Sequence, residues 1–587
     1  MTKSLPILIP TAVKNFSKKK GLIFLGEWCN RYEKKYNTKS SEYHWNNLNK
    51  INQDSKILEK YYEKLLKNLA KKMNILHKEK KNLNYWRILI GPWLYFYITV
   101  LFDRWETLDN FFKKNKKKKF LFYSSNFFFQ DYDTNDFVVN ARLNDAFNYS
   151  LFSKIIQYQY LNRVKIISKP AISFYNRNFK VEKNGLIKTL FNPINKILSF
   201  LSIRYNDVIL DLPYLSKKNY LSICYKLKIL PSFDLKVFSN NKTNNLQKNE
   251  KDRRLMKIKI KSKNKFFNFI TKDLNEYIPK IFLEDFKSIK LLNKKYNNGE
   301  KKLIITSANY LENERFKFWI AEMQLKKNKL CVYRHGGFID QQIRDNYTFN
   351  HLSKISYKYL DWNKNKISNA EIFSPLQLLR FKNIKSQKAQ KCLVIEPSIY
   401  PYNIKCAPFP YNENVTKNFE YTKIFLKKLN KDVQSQTILR IVNTDGREYL
   451  KKDLKKNFSS IEICNLKKKF VDRVKESRIV VCKYLDTPIS EVSFSDVPFV
   501  IVLPKEFYLK KGHEKIFNNL KKNKILFENP LLAAKHINKY WNKMEIWWNN
   551  KNTIKCRNQI KSQIGRINEN WLEESVLKIK KLKNEKR

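Results

Sequence analysis

Residues 477–503 read SRIVVCKYLDTPISEVSFSDVPFVIVL. Ile479-Val480-Val481-Cys482 is a short apolar run with the length and β-branching of a buried strand. A polar turn follows, and Asp486-Thr487-Pro488-Ile489-Ser490-Glu491 opens a predicted helix over 487–495. Thr487 is expected to cap it, with Pro488 at the first helical position. Phe499 to Leu503 is a second apolar run. Strand, helix and strand in this spacing predict a β-α-β unit.

The same pattern extends in both directions. Upstream, Cys392-Leu393-Val394-Ile395 is a strand followed by Glu396-Pro397, an amphipathic helix spans 415–430, and Ile438-Leu439-Arg440-Ile441-Val442 is a strand. Ile461 to Cys464 is short and strand-like, residues 468–477 read as helix, and a further helix covers 529–542. Alternation over about 150 residues predicts a doubly wound parallel sheet. Nearer the N-terminus, Leu303 to Thr306, a helix over 311–326, and Leu330 to Tyr333 predict another β-α-β unit, closed by Arg334-His335-Gly336-Gly337. Leu22 to Leu25 reads as a strand ended by Gly26, and Glu27-Trp28-Cys29 follows it. Leu58, Tyr62, Leu65, Leu69, Met73 and Leu76 place a helix over 55–80. Residues 120–300 read as helical with long surface loops. The Lys113 to Lys119 run reads as a solvated loop, and no internal repeat is found.

The fold class that follows is α/β: two Rossmann-like doubly wound domains facing a cleft, with helical additions in the N-terminal half. The expected boundaries are 1–385 for an acceptor-side domain, 390–548 for a nucleotide-donor domain and 549–587 for a basic helical tail. A polar linker lies near 380–391.

Composition narrows the function. The chain has 587 residues, and 117 Lys+Arg against 53 Asp+Glu give a net charge of +64. That excess suggests a nucleic-acid partner. About 20 of the basic residues are Arg, however, and Arg is the residue that makes specific phosphate and base contacts. Abundant Lys, Asn and Ile match AT-rich codon usage, so the charge reads mainly as background. The eight Cys form no CxxC pair and no zinc-spaced Cys/His cluster, which predicts reduced, buried thiols in a cytoplasmic protein. The segment MTKSLPILIPTAV is too short and too Pro-broken for a secretory h-region. Ile88 to Phe102 is 15 uncharged residues, where a spanning helix needs about 20. Charges close both ends, and Gly91-Pro92 is expected to interrupt it. This stretch reads as a buried segment, with an interfacial membrane contact as the alternative.

Five places can carry chemistry. His335-Gly336-Gly337 follows a strand directly; the glycines allow close backbone approach to an anion, and His335 is a base or acid near neutral pH. At 487–491 a helix start faces the expected crevice, where Glu491 can accept ribose hydroxyls. Arg440 sits inside an apolar strand and requires a partner, such as a diphosphate or a carboxylate. Glu27 and Asp340 are further proton-transfer candidates. Asp445-Gly446-Arg447 reads as a turn, and Asp131-Tyr132-Asp133 is a weak metal pattern, so no metal site is assigned. Walker A, GxGxxG, HExxH and GxSxG are absent, which removes the main support for kinase, NAD-dehydrogenase, zinc-protease and lipase readings.

At these motifs the chain resembles the transferases encoded in O-antigen and surface-polysaccharide loci. The resemblance rests on Leu25-Gly26-Glu27-Trp28-Cys29, Tyr43-His44-Trp45, the Tyr85 to Trp93 string YWRILIGPW, Phe102 to Glu106, His335-Gly336-Gly337, Asp486 to Glu491 and Trp547-Trp548. It departs where Arg334 stands in place of Gln, where Phe338-Ile339-Asp340 follows the glycines, and where Pro488 and Ser490 interrupt the Thr/Glu motif. The family is similar to GT-B-type glycosyltransferases. The resemblance implies a metal-independent transfer from a nucleotide-activated sugar donor, with no bound cofactor, to a glycan or lipid-linked acceptor of O-antigen, lipopolysaccharide or capsule. It implies His335 as the first choice of base, with Glu27 and Asp340 as alternatives. Gly336, Gly337, Arg440, Thr487 and Glu491 are then donor-binding. A cytoplasmic protein resting on the anionic membrane face fits this reading, with no specific nucleic acid. A glycerophosphate-type polyol-phosphate transferase of the same fold is the alternative, followed by a nucleic-acid-binding protein.

Overall fold

The computed structural model describes residues 5–14, 21–32, 43–125, 129–167, 172–174, 186–232, 235–238, 246–297, 301–307, 313–338, 348–386, 389–407, 413–441, 448–464, 468–504 and 513–586. Among them three parallel sheets form. The first contains β1 (Ile7–Ile9), β2 (Leu22–Phe24), β3 (Phe120–Tyr123) and β4 (Val164–Ile167), in the order β2-β1-β3-β4. The second contains β5 (Val208–Asp211), β6 (Leu303–Thr306), β7 (Lys329–Tyr333), β8 (Lys358–Asp361) and β9 (Ala370–Ile372), in sequential order. The third contains β10 (Lys391–Glu396), β11 (Thr437–Ile441), β12 (Glu462–Ile463), β13 (Ser477–Cys482), β14 (Phe499–Val502) and β15 (Leu526–Phe527), in the order β12-β11-β10-β13-β14-β15. Counted from β10, that is the 3-2-1-4-5-6 order of a Rossmann sheet, with its topological switch point between β10 and β13.

The α/β class and the parallel ladders of the C-terminal half follow the sequence reading closely. The 120–300 region differs. β3, β4 and β5 lie within it, and a third sheet stands where two were expected. Their sequences, FLFY, VKII and VILD, are four residues each. Apolar runs that short carry no period separating strand from buried helix. The Ile7-Leu8-Ile9 run is likewise a strand, paired on both sides.

Two long helices pack against each other, α1 (Leu48–His77) and α2 (Leu83–Lys114), and Phe111 and Phe112 near the end of α2 meet Phe120 of β3. α2 runs straight through Gly91-Pro92, against the expected interruption. It is buried on nearly every side, and that packing outweighs the roughly 3 kcal/mol penalty of an interior proline. Gly91 has a packing role. A Cβ there would lie 2.6 Å from Tyr62 Oη and 3.1 Å from His351 Cε1. α2 is long and apolar enough to cross a membrane, yet 94% of its apolar window is buried in the protein. It is a core helix.

A buried hub joins the α2 region to the third sheet. All five N–H donors of Arg104 are engaged. Nε and Nη2 reach Asn148 Oδ1 at 3.0 and 2.8 Å, Nη2 reaches Ala141 O at 2.9 Å, and Nη1 reaches Asp103 and, at 2.6 Å, Asn403 O. Asp103 also accepts from the Tyr43 hydroxyl and lies 3.1 Å from His44 Nε2. Although Asp103 is buried, the Arg104 charge and these donors hold its pKa below the usual range. Asn403 and Tyr402 belong to the loop after β10, and Tyr402 Oη donates to Asp145 Oδ1 at 2.6 Å, where Arg31 also binds.

The C-terminal tail packs back on the body. The helices Lys551–Ile564 and Trp571–Asn584 bury Cys556, Ile560, Ile564, Ile579 and Leu582. Lys329 Nζ donates to the carbonyls of Leu582, Lys583 and Glu585 at 2.5, 2.7 and 2.6 Å, so a cation caps the negative end of the last helix. All eight cysteines are buried free thiols.

Replacing Arg104 by Met leaves the Asp103 carboxylate buried without its cation. The expected loss is about 3–5 kcal/mol of stability, read as a lower urea midpoint at unchanged m-value. An unchanged midpoint would show that the hub does not hold the units together.

Candidate functional site

The central strand of the second sheet, β7, delivers Arg334-His335-Gly336-Gly337 to its carboxyl end. Arg334 braces the turn from beneath. It is 5% exposed, donates from Nε to Gly336 O (2.9 Å), from Nη2 to Phe338 O (2.6 Å) and from Nη1 to Asp361 Oδ1 (2.9 Å), and lies 4.2 Å over the Trp362 ring. The residue that departed from the family pattern is thus the one shaping the turn. Gly337 has φ +97°, a conformation that disfavours any side chain. His335 is exposed and stacks on Tyr214, with ring centroids 5.9 Å apart. Beside them is a small, shallow crevice lined by Tyr214, Ser307, Tyr333 and Gln377 among leucines. The buried Ser307 hydroxyl has no hydrogen-bond partner among the described residues.

The helix Thr487–Ser493 begins just past β13, at the carboxyl edge of the third sheet. Its cap is Asp486, whose Oδ1 accepts from Thr487 N at 2.7 Å, rather than the expected Thr487. This shift by one position leaves the Thr487 hydroxyl for another task. Thr487 Oγ1 accepts from Gly337 N at 2.8 Å, and Ser490 Oγ donates to Gly337 O at 2.7 Å. A Cβ on Gly336 would lie 2.5 Å from Thr487 Oγ1. Two motifs 150 residues apart therefore form one contact between the second and third sheets. The first-turn amides are engaged within the chain: Thr487 N by Asp486, and Ile489 N by Asp486 O at 3.0 Å, while Pro488 has none.

Glu491, on the same helix, is ion-paired with Arg380 from the 3-10 turn Leu376–Phe381. Burial still raises its pKa, against the pull of Arg380 and Arg440. Arg440, on β11, has a buried Nη1 with no hydrogen-bond partner among the described residues, and its guanidinium sits 5.7 Å from the Phe470 ring. Its charge acts on both Glu491 and Tyr484. The structure thus brings together Gly336, Gly337, Thr487, Glu491 and Arg440, and adds Arg334, Arg380 and Ser490. Arg380 lay in the stretch read as a linker, and no local pattern marked it.

The remaining candidates lie apart from this contact. Glu27 accepts a hydrogen bond from Thr416 on the helix Glu413–Lys428. Asp340 and Asp445-Gly446-Arg447 fall outside the described residues. Asp133 caps the helix Thr134–Leu143 through Asp136 N (2.8 Å), and Asp131 accepts from Asn140 at 2.7 Å, so both have structural partners.

At the switch point itself, Glu396 ends β10 and Lys483 follows β13. Both are buried. Glu396 accepts from Thr422 and, at 3.0 Å, from Asn418 Nδ2, whereas Lys483 Nζ has no hydrogen-bond partner among the described residues and lies 5.7 Å from the Tyr421 ring. Burial raises the Glu396 pKa. It lowers Lys483 to about 8, with Glu396 opposing the shift. A charge directly after an apolar strand was the available sequence signal for this pair.

A family model described as LIC12162 family transferase matches residues 6–579. No curated protein matches the chain.

Two outcomes test this geometry. Gly336→Ala forces its Cβ onto Thr487 Oγ1, with an expected loss of about 1–3 kcal/mol. Thr487→Ala removes that atom, so the double variant is more stable than the sum of the singles, by about 1 kcal/mol in a thermal-unfolding cycle; strict additivity would refute the contact. The second outcome concerns pH. A lysine with a folded pKa of about 8 and an ordinary unfolded value leaves the unfolded chain holding more protons between them. Stability relative to the Glu396→Gln/Lys483→Met variant then rises as pH goes from about 8 to 10.5, by up to about 3 kcal/mol in urea titrations. A flat difference would count against a Lys483 whose burial lowers its pKa.

Proposed function

Because this chain belongs to the LIC12162 family of transferases, we propose that the transfer is glycosyl transfer from a nucleotide-activated donor to a surface-polysaccharide intermediate, with the second and third sheets acting as the two lobes of a GT-B-like cleft. The observation that carries this reading is the docking of the His335-Gly336-Gly337 turn on Thr487 and Ser490. That contact lies at the carboxyl edges of two parallel sheets, where α/β proteins bind ligands.

In this reading an acceptor hydroxyl in the crevice beside Tyr214 attacks the anomeric carbon, and its proton passes to His335. The bond from that carbon to the diphosphate oxygen breaks, and the nucleoside diphosphate leaves. Arg440, whose buried Nη1 has no partner among the described residues, meets the developing negative charge. Glu491, oriented by Arg380, accepts from ribose hydroxyls. Arg334 acts on the reaction only by shaping the turn. Leaving-group charge falls to side chains, with no bound metal or cofactor. The helix amides at 487–489 are engaged within the chain, which gives Arg440 the larger share. A lipid-linked acceptor would bring the protein to an anionic membrane face. The helix Lys217–Leu227, just after Tyr214, exposes Tyr225 (83%) and Leu221 (43%) among lysines, as an interfacial helix does.

A thermal-shift screen against nucleotides and nucleotide sugars identifies the donor, since a ligand of the folded state stabilises it by mass action. With that donor, His335→Ala is expected to lower kcat by about 100-fold or more while nucleotide binding persists. Arg440→Met is expected to weaken nucleotide binding. Full activity in both variants would refute the assignment. A product mass carrying a phosphodiester, in place of a glycosyl unit, would move the reaction to polyol-phosphate transfer. Failure to sediment with anionic vesicles at physiological salt would remove the membrane contact.

A further inference from the structure

The first sheet meets the helix Glu413–Lys428 at its carboxyl end, where Glu27, beyond β2, accepts from Thr416. Its amino end lies on the opposite side and is built from two turns. One joins α2 to β3 and reads KKNKKKKF from Lys113 to Phe120. The other, Tyr160 to Arg163, leads into β4, whose first residue, Val164, pairs with Phe120.

Arg163 stitches the two turns together. Its Nη2 donates to Lys118 O at 3.0 Å and to Asn115 O, and its own carbonyl accepts from Phe120 N at 3.1 Å. Its guanidinium lies 5.6 Å from the Phe112 ring, which stacks on Tyr160 with centroids 4.1 Å apart. The basic run is thus a turn fixed by hydrogen bonds. All six of its lysines are exposed. Lys113 pairs with Asp109, and the other five have no acidic partner among the described residues. The sequence has no Asp or Glu over 110–130 or 146–181. Beside the lysines, Leu161, two residues before Arg163, is 60% exposed.

Like charges held this close repel one another, and an anionic surface removes that cost. The residues favour one kind of surface. Lysine is a hydrated point charge that needs no matched geometry, and protein–protein interfaces are depleted of it. Arg163, the residue type that reads phosphates and base edges, is spent on backbone carbonyls. An exposed leucine among lysines gains nothing from a phosphodiester backbone. A bilayer interface accepts both, with apolar contact for the leucine and anionic headgroups for the lysines.

We propose that these two turns are a docking surface for an anionic phospholipid bilayer. Lys114, Lys116, Lys117, Lys118 and Lys119 face the headgroups, and Leu161 enters the interface. The surface is distinct from the helix Lys217–Leu227, and it does not depend on the transfer reading.

The test is sedimentation of the full-length protein, without nucleotide, with vesicles of phosphatidylcholine alone or with about one-third phosphatidylglycerol. Binding is expected to the anionic vesicles only, and to fall steeply as salt rises to about 0.5 M. The combined variant Lys116→Gln, Lys117→Gln, Lys118→Gln, Lys119→Gln is expected to bind about 100-fold more weakly or worse, at about fivefold per lysine. Replacing the same four by Arg keeps the charge and is expected to keep the binding. Leu161→Ser is expected to weaken it by about threefold or more. Four results would overturn the proposal: no binding to anionic vesicles at physiological salt, equal binding to neutral ones, full binding by the charge-removing variant, or full binding by Leu161→Ser. Displacement of the vesicles by a DNA or RNA duplex would overturn it in favour of a nucleic-acid partner. Loss of binding in Leu221→Ser/Tyr225→Ser, with the lysines intact, would assign the contact to the helix Lys217–Leu227 instead. Should the charge-removing variant unfold early, the charge-keeping one decides: vesicle binding supports the proposal, and its absence overturns it.

Discussion

The structure depends on one buried guanidinium. Arg104 is 1% exposed and uses every N–H it has, on partners from α2, from the two helices that follow β3, and from the loop after β10. A charge this deep is tolerable only when paired and fully hydrogen-bonded, so its partners must all be in place together. One of them is Asn403 O, and Asn403 Nδ2 in turn donates to Tyr43 Oη at 2.8 Å. The stretch that leaves the first Rossmann strand is thereby drawn into the N-terminal unit, with Ile404 O accepting from Thr99 at 2.9 Å and Cys406 buried. In a dinucleotide-binding Rossmann fold that stretch is a tight, glycine-rich phosphate turn. Here it is a structural anchor, which explains why GxGxxG is absent from a sheet of Rossmann order.

With the first turn committed to anchoring, the candidate site forms on the other side of the switch point. The helix after β13 carries Thr487, Ser490 and Glu491, and each is engaged by the second sheet or by the turn Leu376–Phe381. The capping role falls to Asp486, which leaves the Thr487 hydroxyl to bind Gly337. Gly336 is required because no side chain fits against Thr487. The Pro488 and Ser490 departures from the family pattern are consistent with this docking, since Ser490 supplies its second hydrogen bond.

The basic composition divides in the same physical terms. Most lysines are exposed, whereas several buried ones have specific partners. Lys329 caps a helix end, Lys301 donates to Asn206 O at 2.5 Å, and Lys317 pairs with Glu314 at 2.8 Å. Lys483 is the exception: among the described residues its Nζ has no hydrogen-bond partner, and it lies in the field of Glu396 and beside the face of Tyr421.

Local patterns were enough to recognise the parallel ladder of 391–503, the strand before His335-Gly336-Gly337, and the helix that starts at Thr487. Buried parallel strands are apolar throughout, and helix starts carry polar caps and proline, so these features are written in consecutive residues. β1, β3, β4 and β5 were not legible, because three or four apolar residues fit a strand or a buried helix equally well until a neighbour pairs with them. Arg334, Arg380, Ser490 and the Arg104 hub were not legible either, since their roles consist of bonds to residues distant in the chain. The α/β class, the C-terminal sheet and the motifs can be read from consecutive residues alone. That the two motifs meet, that Asp486 is the cap, and that a third sheet stands at the N-terminus follow from packing, because hydrogen-bond partners and buried charges are not set by spacing along the chain.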